Sequence, residues 1–425
     1  MGLHYRFLPM IALLSACGGG STVDATVFDS DVEIPGASAD TTPPASENQN
    51  VHDVNTNNSN SNTNNTNSNT NTNSNDTANT NTNTADPPVE FEEYVFVGTS
   101  TGLHRFRLER SDNSLTVLGV VEEGSRYDAV DVNPEERVLY VSQPGNDSVT
   151  AFAIGEDAEL TEIATTALGF RPVYIALDAT RTTLLSASFG GNAVGSFAIT
   201  DDFSVVEGSL GTPPTGARPH AIITDPNNQF AFVPCRDSFD SYQYVLNPDG
   251  SLTANAVAKA DGPVGGGPRH IEFQPTLNVV YVNNEMGDSI SRYSYDPTQG
   301  RMSFVDTRPT LPDGADPGNN TTADVALTPD GAFLYVSNRG DESIARYSID
   351  ETTGALTPLG HTSCPARPRS IDIDALGAYL AVSGQDDDRT ELYAIGVDGD
   401  LTSVEQVSTA EAPTWVEFVR LPLSR

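Results

Sequence analysis

Four polar side chains lie where short predicted strands begin or end, and their types are those that hydrolysis requires. His220 and Arg269 begin two predicted strands, whereas Glu285 and Arg339 follow two others. Hydrolysis of a carbonyl compound needs a base to activate water and fixed positive charge where the oxyanion forms. An imidazole or a carboxylate can act as the base, and guanidinium groups hold an oxyanion, carboxylate or phosphate through paired hydrogen bonds. These residue types therefore indicate hydrolytic chemistry if the fold brings them together.

A short aromatic or aliphatic segment recurs along the chain and predicts the elements that position these residues. Its seven copies begin at Tyr94, Leu139, Leu184, Ala231, Val280, Leu334 and Tyr379. Successive copies start 45, 45, 47, 49, 54 and 45 residues apart, a spacing typical of β-propeller blades. Each copy is the central strand of a unit with one predicted strand before it and two after it. We therefore predict an all-β fold, a seven-bladed β-propeller, over residues 89–425.

The two ends of the repeating region are complementary. The first unit, at Tyr94, lacks a leading strand, and residues 413–418 form a leading strand that no further unit follows. Pairing them would close the ring and remove two exposed sheet edges, so the C-terminal strand is predicted to complete the first blade. In a propeller the leading strands line the central channel, and their starts share one face with the turns after the central strands. The four polar residues are therefore predicted to meet around one funnel.

Several segments resemble the lactonase family of seven-bladed propellers, namely GPRHIEFQP, VYVNNE, LTPDGAFLYVSNRGDESIARYSID and RPRSIDIDALGAYLAVSGQ. That family includes bacterial 6-phosphogluconolactonases and carboxymuconate cyclases, with related YVTN-repeat surface proteins, and the resemblance covers about residues 93–420. It implies hydrolysis of a small anionic lactone without a metal or other cofactor. It also implies a catalytic set of His220, Arg269, Glu285 and Arg339, in which His220 or Glu285 is the base and the other residue orients it.

The sequence leaves two other functions open. The same scaffold could cycloisomerise an unsaturated dicarboxylate, or it could be a non-catalytic surface propeller that binds a protein or a glycan. In the non-catalytic case Glu285 would form a structural bridge to an arginine, and His220 would only cap a turn. Tyr174, Arg369 and Gln385 occupy rim positions on other blades equivalent to those of the four catalytic candidates, and are predicted to bind substrate.

Three further expectations concern the walls of the funnel. Residues 234–237 read Pro-Cys-Arg-Asp where the family commonly carries Asp-Leu-Gly, so this wall is expected to differ from that of relatives. His270 neighbours Arg269 on a strand, and is expected to face the other way and pack between blades. Trp415, on the closing strand, is expected to be a packing residue.

Residues 1–16 have the pattern of a bacterial lipoprotein signal peptide. A short basic start and an apolar run end in Leu-Ser-Ala before Cys17, which resembles a lipobox and implies lipid attachment to Cys17. Residues 17–88, rich in Asn, Thr and Ser, offer almost nothing to bury and are predicted to be a disordered tether. Gly18 is not the aspartate that often marks inner-membrane retention. We therefore expect a lipid anchor in the cell envelope, at the outer membrane, with the propeller in the periplasm or at the cell surface.

The composition excludes some partners. With 22 basic and 58 acidic residues the formal charge is -36, so nucleic acid, which needs a basic surface, is not expected as a partner. An anionic substrate would need a local cluster of arginines against this background. The chain has three cysteines and no zinc-ligand spacing, and Cys235 and Cys364 lie three repeats apart, which does not favour a disulfide. We expect the protein to act as a monomer.

Overall fold

The computed structural model describes residues 90–121, 124–409 and 411–423. The predicted signal peptide, the lipidation site Cys17 and the predicted tether lie outside the described residues. Within the described part, helix is confined to two single 3-10 turns, Glu156–Ala158 and Pro317–Asn319. None of the helical segments in this part has the length or apolar character that a membrane span requires.

The strands of the described residues form seven antiparallel sheets, which are the blades. Blade 1 contains β1 (Phe91–Gly98), β2 (Leu103–Glu109), β3 (Ser114–Val121) and β27 (Trp415–Pro422). Blade 2 contains β4 (Val130–Asn133), β5 (Val138–Gln143), β6 (Ser148–Ile154) and β7 (Leu160–Ala167). Blade 3 contains β8 (Tyr174–Leu177), β9 (Thr183–Ser188) and β10 (Ala193–Ala198).

The remaining blades have four strands each. Blade 4 contains β11 (Ile223–Thr224), β12 (Phe230–Cys235), β13 (Asp240–Leu246) and β14 (Leu252–Asp261). Blade 5 contains β15 (Pro268–Phe273), β16 (Val279–Asn284), β17 (Ser289–Asp296) and β18 (Arg301–Pro309). Blade 6 contains β19 (Thr322–Leu327), β20 (Phe333–Asn338), β21 (Ser343–Ile349) and β22 (Leu356–Ser363). Blade 7 contains β23 (Pro368–Ile373), β24 (Tyr379–Gly384), β25 (Arg389–Ile395) and β26 (Leu401–Ser408).

The predicted ring closure is present. β27 pairs antiparallel with β1 along its whole length, from Phe91 opposite Pro422 to Gly98 opposite Trp415. Inner strands of successive blades contact one another around the channel, as β15, β19, β23, β27, β4 and β8 do in turn. The predicted fold class, a seven-bladed propeller closed by its C-terminal strand, is therefore confirmed.

Two blades depart from the regular four-strand pattern. In blade 3, bridges between Ile199 and Val205 and between Ser196 and Gly211 take the place of a regular outer strand. In blade 4, the leading strand predicted at 219–224 is regular only over β11. Pro219 has no N–H to donate and joins β12 only through an isolated bridge to Cys235.

The hydrophobic core lies between neighbouring blades. In β1, Tyr94 and Phe96 pack in a cluster with blade 2, whereas Val95 and Val97 pack in a cluster with blade 7. Successive side chains of a strand point to opposite faces, so a central strand covered on both faces must be apolar at every position. This explains why the recurring segments are continuous apolar runs.

Carboxylates of the inner strands join neighbouring blades. Each accepts a hydrogen bond from a backbone N–H of the next inner strand: Asp131 from Leu177 at 2.6 Å, Asp324 from Ile371 at 3.1 Å and Asp372 from Phe418 at 2.6 Å. The hydrogen bond between Asp372 and Phe418 connects blade 7 to the closing strand β27. A buried N–H that loses such an acceptor would destabilise the ring by about 1–3 kcal/mol. Elsewhere Cys235 and Cys364 remain free thiols, as the sequence favoured.

Candidate active site

A break in strand pairing brings Arg269 and His270 into the channel together. β15 pairs with β16 at Pro268 and again from Ile271, and the register shifts between these two residues. Such a bulge interrupts the alternation of side chains along a regular strand. The expectation that His270 packs between blades is therefore wrong. Its ring lies in the channel, with its centroid 5.2 Å from that of His220.

Glu285, which follows β16, is surrounded by three guanidinium groups. Its Oε1 accepts a hydrogen bond from Nη2 of Arg339 at 2.7 Å and lies 3.6 Å from Nη1 of Arg236. Its Oε2 lies 3.8 Å from Nε of Arg269. Burial alone would raise the pKa of Glu285, but the three positive charges outweigh burial and hold this pKa below its usual value. Glu285 is therefore a carboxylate at neutral pH, and a weak base.

His220 presents an uncharged imidazole beside this cluster. It precedes β11, and its backbone N–H donates to the carbonyl of Pro234 at 3.0 Å. The residue is 8% exposed, and its Nδ1 has no hydrogen-bond partner among the described residues. Burial, and then the positive charge of Arg269, lowers the pKa of His220 well below its usual value. The ring is therefore neutral at pH 7 and able to accept a proton.

His220, Arg269 and Arg369 line one small cavity at this end of the channel, together with Asp128, Val173, His270, Thr414 and Trp415. Its volume is about 10 Å³, enough for roughly one water molecule. Burial lowers the pKa of Arg269, and the charge of Arg339 lowers it further. A guanidinium nevertheless stays protonated at neutral pH. The cavity therefore brings a neutral imidazole together with fixed positive charge.

A hydrogen-bond chain connects Asp324 to Arg269 through His270. Oδ1 of Asp324 lies 2.5 Å from Nδ1 of His270, and Nε2 of His270 lies 3.2 Å from Nη1 of Arg269. Because a guanidinium can only donate, Nε2 must accept, and the proton of the neutral ring is on Nδ1. Burial, and then the charge of Arg269, lowers the pKa of His270, in agreement with a neutral ring. Arg269 also donates to the carbonyl of Ala323.

Known proteins share this architecture and much of this sequence. The chain matches the family described as "Lactonase, 7-bladed beta-propeller" over residues 92–418. It belongs to the lactonase family. The family resemblance predicted from the sequence, and the interpretation as a lactonase-like hydrolase, are confirmed at this level.

Relatives of this lactonase-family chain cover almost all of the propeller. A 6-phosphogluconolactonase of Yersinia enterocolitica is 30% identical over 328 residues, which are 77% of this chain and 97% of the relative. A 6-phosphogluconolactonase of Yersinia pestis is 30% identical over 327 residues, 76% of this chain and 97% of the relative. The solved periplasmic gluconolactonase of Pseudomonas aeruginosa has a TM-score of 0.72 at 21% identity, with 78% of this chain and 100% of that chain covered. The structural similarity shows a common fold.

A second cavity in the channel, on the side away from Glu285 and its guanidiniums, is acidic. A cavity of about 210 Å³ is lined there by Glu272, Asp324, Asp372, Glu417, Tyr174 and Trp415, among others. Burial, and then the charge of Asp324, raises the pKa of Glu272 to about 8. Burial also raises the pKa of Asp372 and of Glu417, and the charge of Asp372 raises that of Glu417 further. In the part of the chain that the structure describes, no three His, Cys, Asp or Glu side chains are grouped as metal ligands.

The three predicted substrate-binding residues lie in different places. Arg369 lines the small cavity with His220. The Tyr174 ring lies 5.4 Å from the His270 ring and lines the acidic cavity. Gln385 lies beyond both cavities and accepts a hydrogen bond from Nε of Arg367 at 3.1 Å. The structure therefore brings together the four catalytic candidates and Arg369, but not Gln385.

Sequence reasoning placed residues 234–237 in one wall of the funnel but gave Arg236 no role of its own, and it did not assign Phe189 or Asp324 to the site. Phe189 and Arg236 immediately follow the central strands β9 and β12, as Glu285 follows β16. Glu285, Phe189 and Arg236 therefore occupy the same position of the repeat. A comparison of this position in all seven blades would have identified Phe189 and Arg236. Asp324 has no such signal, because its role depends on its contact with His270 across two blades.

Proposed function

We propose that this protein hydrolyses a small lactone that bears an acid group, with His220 as the general base. The observation that carries this proposal is the neutral, buried imidazole beside three clustered guanidiniums in a chain of formal charge -36. Positive charge collected in a concave site attracts an anion even when the whole protein repels one. The larger acidic cavity carries the wrong sign of charge for such a substrate.

The proposed reaction uses the groups as the geometry arranges them. The imidazole of His220 takes a proton from water, and the oxygen of that water attacks the lactone carbonyl carbon. Negative charge on the carbonyl oxygen is stabilised by the guanidiniums of Arg269 and Arg339. The ring C–O bond then breaks, and the leaving alkoxide takes the proton from His220, which gives the open hydroxy acid. The small cavity beside His220 has room for the attacking water.

His220 is a better candidate base than Glu285. Glu285 already accepts a hydrogen bond from Arg339, whereas Nδ1 of His220 has no hydrogen-bond partner among the described residues and can accept a proton from water. Glu285 instead holds Arg339 at 2.7 Å and Arg236 at 3.6 Å, so we assign to it the orientation of the guanidiniums. The sequence left these two roles open.

The relatives support a sugar lactone as substrate. Two of them are named 6-phosphogluconolactonases, and the structurally similar Pseudomonas aeruginosa protein is described as a periplasmic gluconolactonase. A periplasmic relative fits export of this chain, and we propose that lipid on Cys17 anchors the propeller in the cell envelope. Labelling cells with radioactive palmitate tests the anchor, since a wild-type chain that incorporates no label would exclude it.

The test of the proposed function is a panel of sugar lactones, charged and neutral, hydrolysed in the presence of a chelator. We expect turnover by the wild type and a fall in kcat of about 10²–10⁴-fold in His220→Asn, the usual contribution of a general base. Since the pKa of His220 is lowered, kcat/KM should stay constant as the pH falls through 6.5, the ordinary pKa of histidine, and should decrease only at lower pH.

His361→Asn is the matched control. His361 is a partly buried histidine on β22 whose Nε2 lies 2.8 Å from the carbonyl oxygen of Thr310, outside both cavities. This variant should keep wild-type turnover. Absence of lactone hydrolysis by the wild type, or equal activity of His220→Asn and the wild type, would overturn the proposed function.

A further inference from the structure

An aromatic ring with two guanidiniums forms a wall between the catalytic candidates and the solvent. The Phe189 ring lies 5.4 Å from the His220 ring. The guanidinium carbons of Arg236 and Arg218 lie 4.5 and 4.8 Å from the centroid of the same Phe189 ring. A guanidinium placed over an aromatic ring is fixed in orientation while its N–H edge remains able to bind an anion. We call Phe189, Arg218 and Arg236 the Phe189 wall.

The positive charge at this end of the channel exceeds the negative charge. Six guanidiniums, those of Arg126, Arg218, Arg236, Arg269, Arg339 and Arg369, face five carboxylates: Asp128, Asp237 and Glu285 lie in ion pairs with them, and the charges of Asp324 and Asp288 act on Arg269 and Arg339. In the Phe189 wall, Asp237 is shared: its Oδ1 lies 2.7 Å from Nε of Arg236 and its Oδ2 lies 3.6 Å from Nε of Arg218. Arg236 has a second carboxylate neighbour, Glu285 at 3.6 Å, but each guanidinium carries five N–H donors, which leaves donors free for an external anion.

Side-chain exposure increases from Arg269 and Arg339, which we call the floor of the site, to the Phe189 wall. The side chains of Arg269 and Arg339 are 2% and 10% exposed, whereas those of Arg236 and Arg218 are 25% and 42% exposed. Buried guanidiniums in a low-dielectric floor suit a charge that develops during the reaction. The partly exposed guanidiniums of Arg236 and Arg218 suit an acid group of the substrate that is already charged and keeps part of its hydration. The two pairs of arginines therefore suit two different parts of one substrate.

Local backbone geometry holds Arg236 at this place. Gly267 has a φ of 70°, and a Cβ there would come within 3.0 Å of Met286 and 3.2 Å of the Arg236 stem. The backbone N–H of Arg236 donates to the carbonyl of Arg218 at 3.0 Å, which joins the two arginines of the wall. The wall is thus a built feature of blade 4 and its neighbour, and not two unconnected surface arginines.

We infer that the Phe189 wall binds the acid group of the substrate, a phosphate or a carboxylate remote from the lactone ring, while Arg269 and Arg339 serve the reacting carbonyl. This inference rests on the proposed function and divides the site into two subsites. Arg236 is the specificity-determining residue, since it contacts both Phe189 and Glu285 and so connects the wall to the floor.

The test compares three lactones: 6-phosphogluconolactone, its neutral parent gluconolactone, and a monolactone of an aldaric acid, which carries a carboxylate. In Arg236→Gln we expect kcat/KM to fall about 10–100-fold for an acid-bearing lactone, as loss of a charge-assisted hydrogen bond predicts. The neutral lactone should lose less, so that the ratio of kcat/KM for the acid-bearing lactone to kcat/KM for the neutral lactone falls about 10-fold or more. Arg236→Lys should recover only part of the loss, because lysine is not a planar, bidentate donor.

The two charged lactones distinguish the acid groups. A loss confined to one of them supports the wall and names phosphate or carboxylate as its ligand, and a loss with both supports a general anion subsite. An equal loss with charged and neutral lactones, or none with either charged lactone, overturns the inference. Arg301→Gln, at an exposed arginine on β18, is the matched control and should behave as wild type.

A binding measurement separates this inference from the proposed function. Two hydroxy acids, 6-phosphogluconate and the aldaric acid formed from the carboxylate-bearing lactone, are each titrated calorimetrically into the wild type and into Arg236→Gln, and no turnover is needed. Binding that weakens about 10-fold or more in the variant supports the Phe189 wall even if the wild type hydrolyses no lactone, in which case only the proposed function fails. Equal binding of both acids by the two proteins, or no binding of either acid by the wild type, overturns the wall whatever the turnover.

Discussion

The two sides of the central channel hold charges of opposite sign. The side chains on the two sides differ in how far these charges are compensated within the protein. On the cationic side, three guanidiniums share the carboxylate of Glu285, and the excess positive charge has no partner within the site. On the acidic side, Asp131, Asp324 and Asp372 accept backbone N–H groups of the next blade. Burial there raises the pKa of Glu272 to about 8, so that a proton removes the charge at neutral pH.

This difference separates a structural cluster from a candidate functional one. Glu272 can take up a proton near neutral pH, and Asp324 is held by His270, so the acidic side needs no external ligand. A guanidinium cannot lose its proton at that pH, so the cationic side stays charged until an anion binds. Polar side chains around one channel therefore stabilise the ring on one side and form the proposed anion site on the other. Three substitutions test this comparison, in order of expected effect.

Arg269→Gln should reduce activity most. We expect kcat/KM on the best lactone to fall about 10²–10³-fold, the usual effect of removing one oxyanion donor. The free energy of unfolding should change little, because Glu285 keeps Arg339 at 2.7 Å and Arg339 loses a repulsive neighbour. Steady-state kinetics and denaturant unfolding measure the two quantities. Unchanged activity with a destabilisation of about 3–5 kcal/mol, as for a broken buried pair, would make the cluster a structural bridge instead.

Asp324→Asn tests the residue that connects the two sides. An asparagine amide can donate to Nδ1 of His270 as well as accept from it, so the proton is no longer held on Nδ1 and Nε2 no longer reliably accepts from Arg269. We expect kcat to fall about 10-fold, since supporting partners of site residues typically contribute 10–100-fold. Asp372→Asn is the control: it also accepts a backbone N–H of the next blade but has no histidine partner, and its kcat should equal that of the wild type. Equal kcat losses in both variants would refute a specific role for Asp324.

Glu272→Gln should have the smallest effect, on stability alone. The pKa of Glu272 is raised to about 8 from its ordinary 4.5, so the folded protein keeps a proton that the unfolded chain has lost. Wild-type stability therefore decreases as the pH rises from about 4.5 to 8, and glutamine removes this penalty. The variant should match the wild type at pH 4 and be more stable at pH 8 by roughly 1–3 kcal/mol. Urea unfolding at both pH values measures this gain, and a variant less stable than wild type at pH 8 would contradict it.

Much of the site could be read from repetition. Glu285 and Arg339 each follow a central strand, and His220 and Arg269 each precede or begin an inner one, so a regular propeller already places them at one end of the channel. The position of His270 could not be read in this way. Alternation along a strand predicted the opposite direction, and the bulge in β15 that reverses it depends on pairing with β16.

The sequence by itself determined the number of blades, the closure of the ring and the face on which the polar residues meet, because these depend on local periodicity and on the pairing of strand edges. Only the tertiary structure decided the charge states and the roles. The low pKa of His220, the ionised Glu285 and the protonated Glu272 depend on burial and on charges contributed by other blades. Such contacts join residues that are distant along the chain, and no local pattern of the sequence records which of them touch.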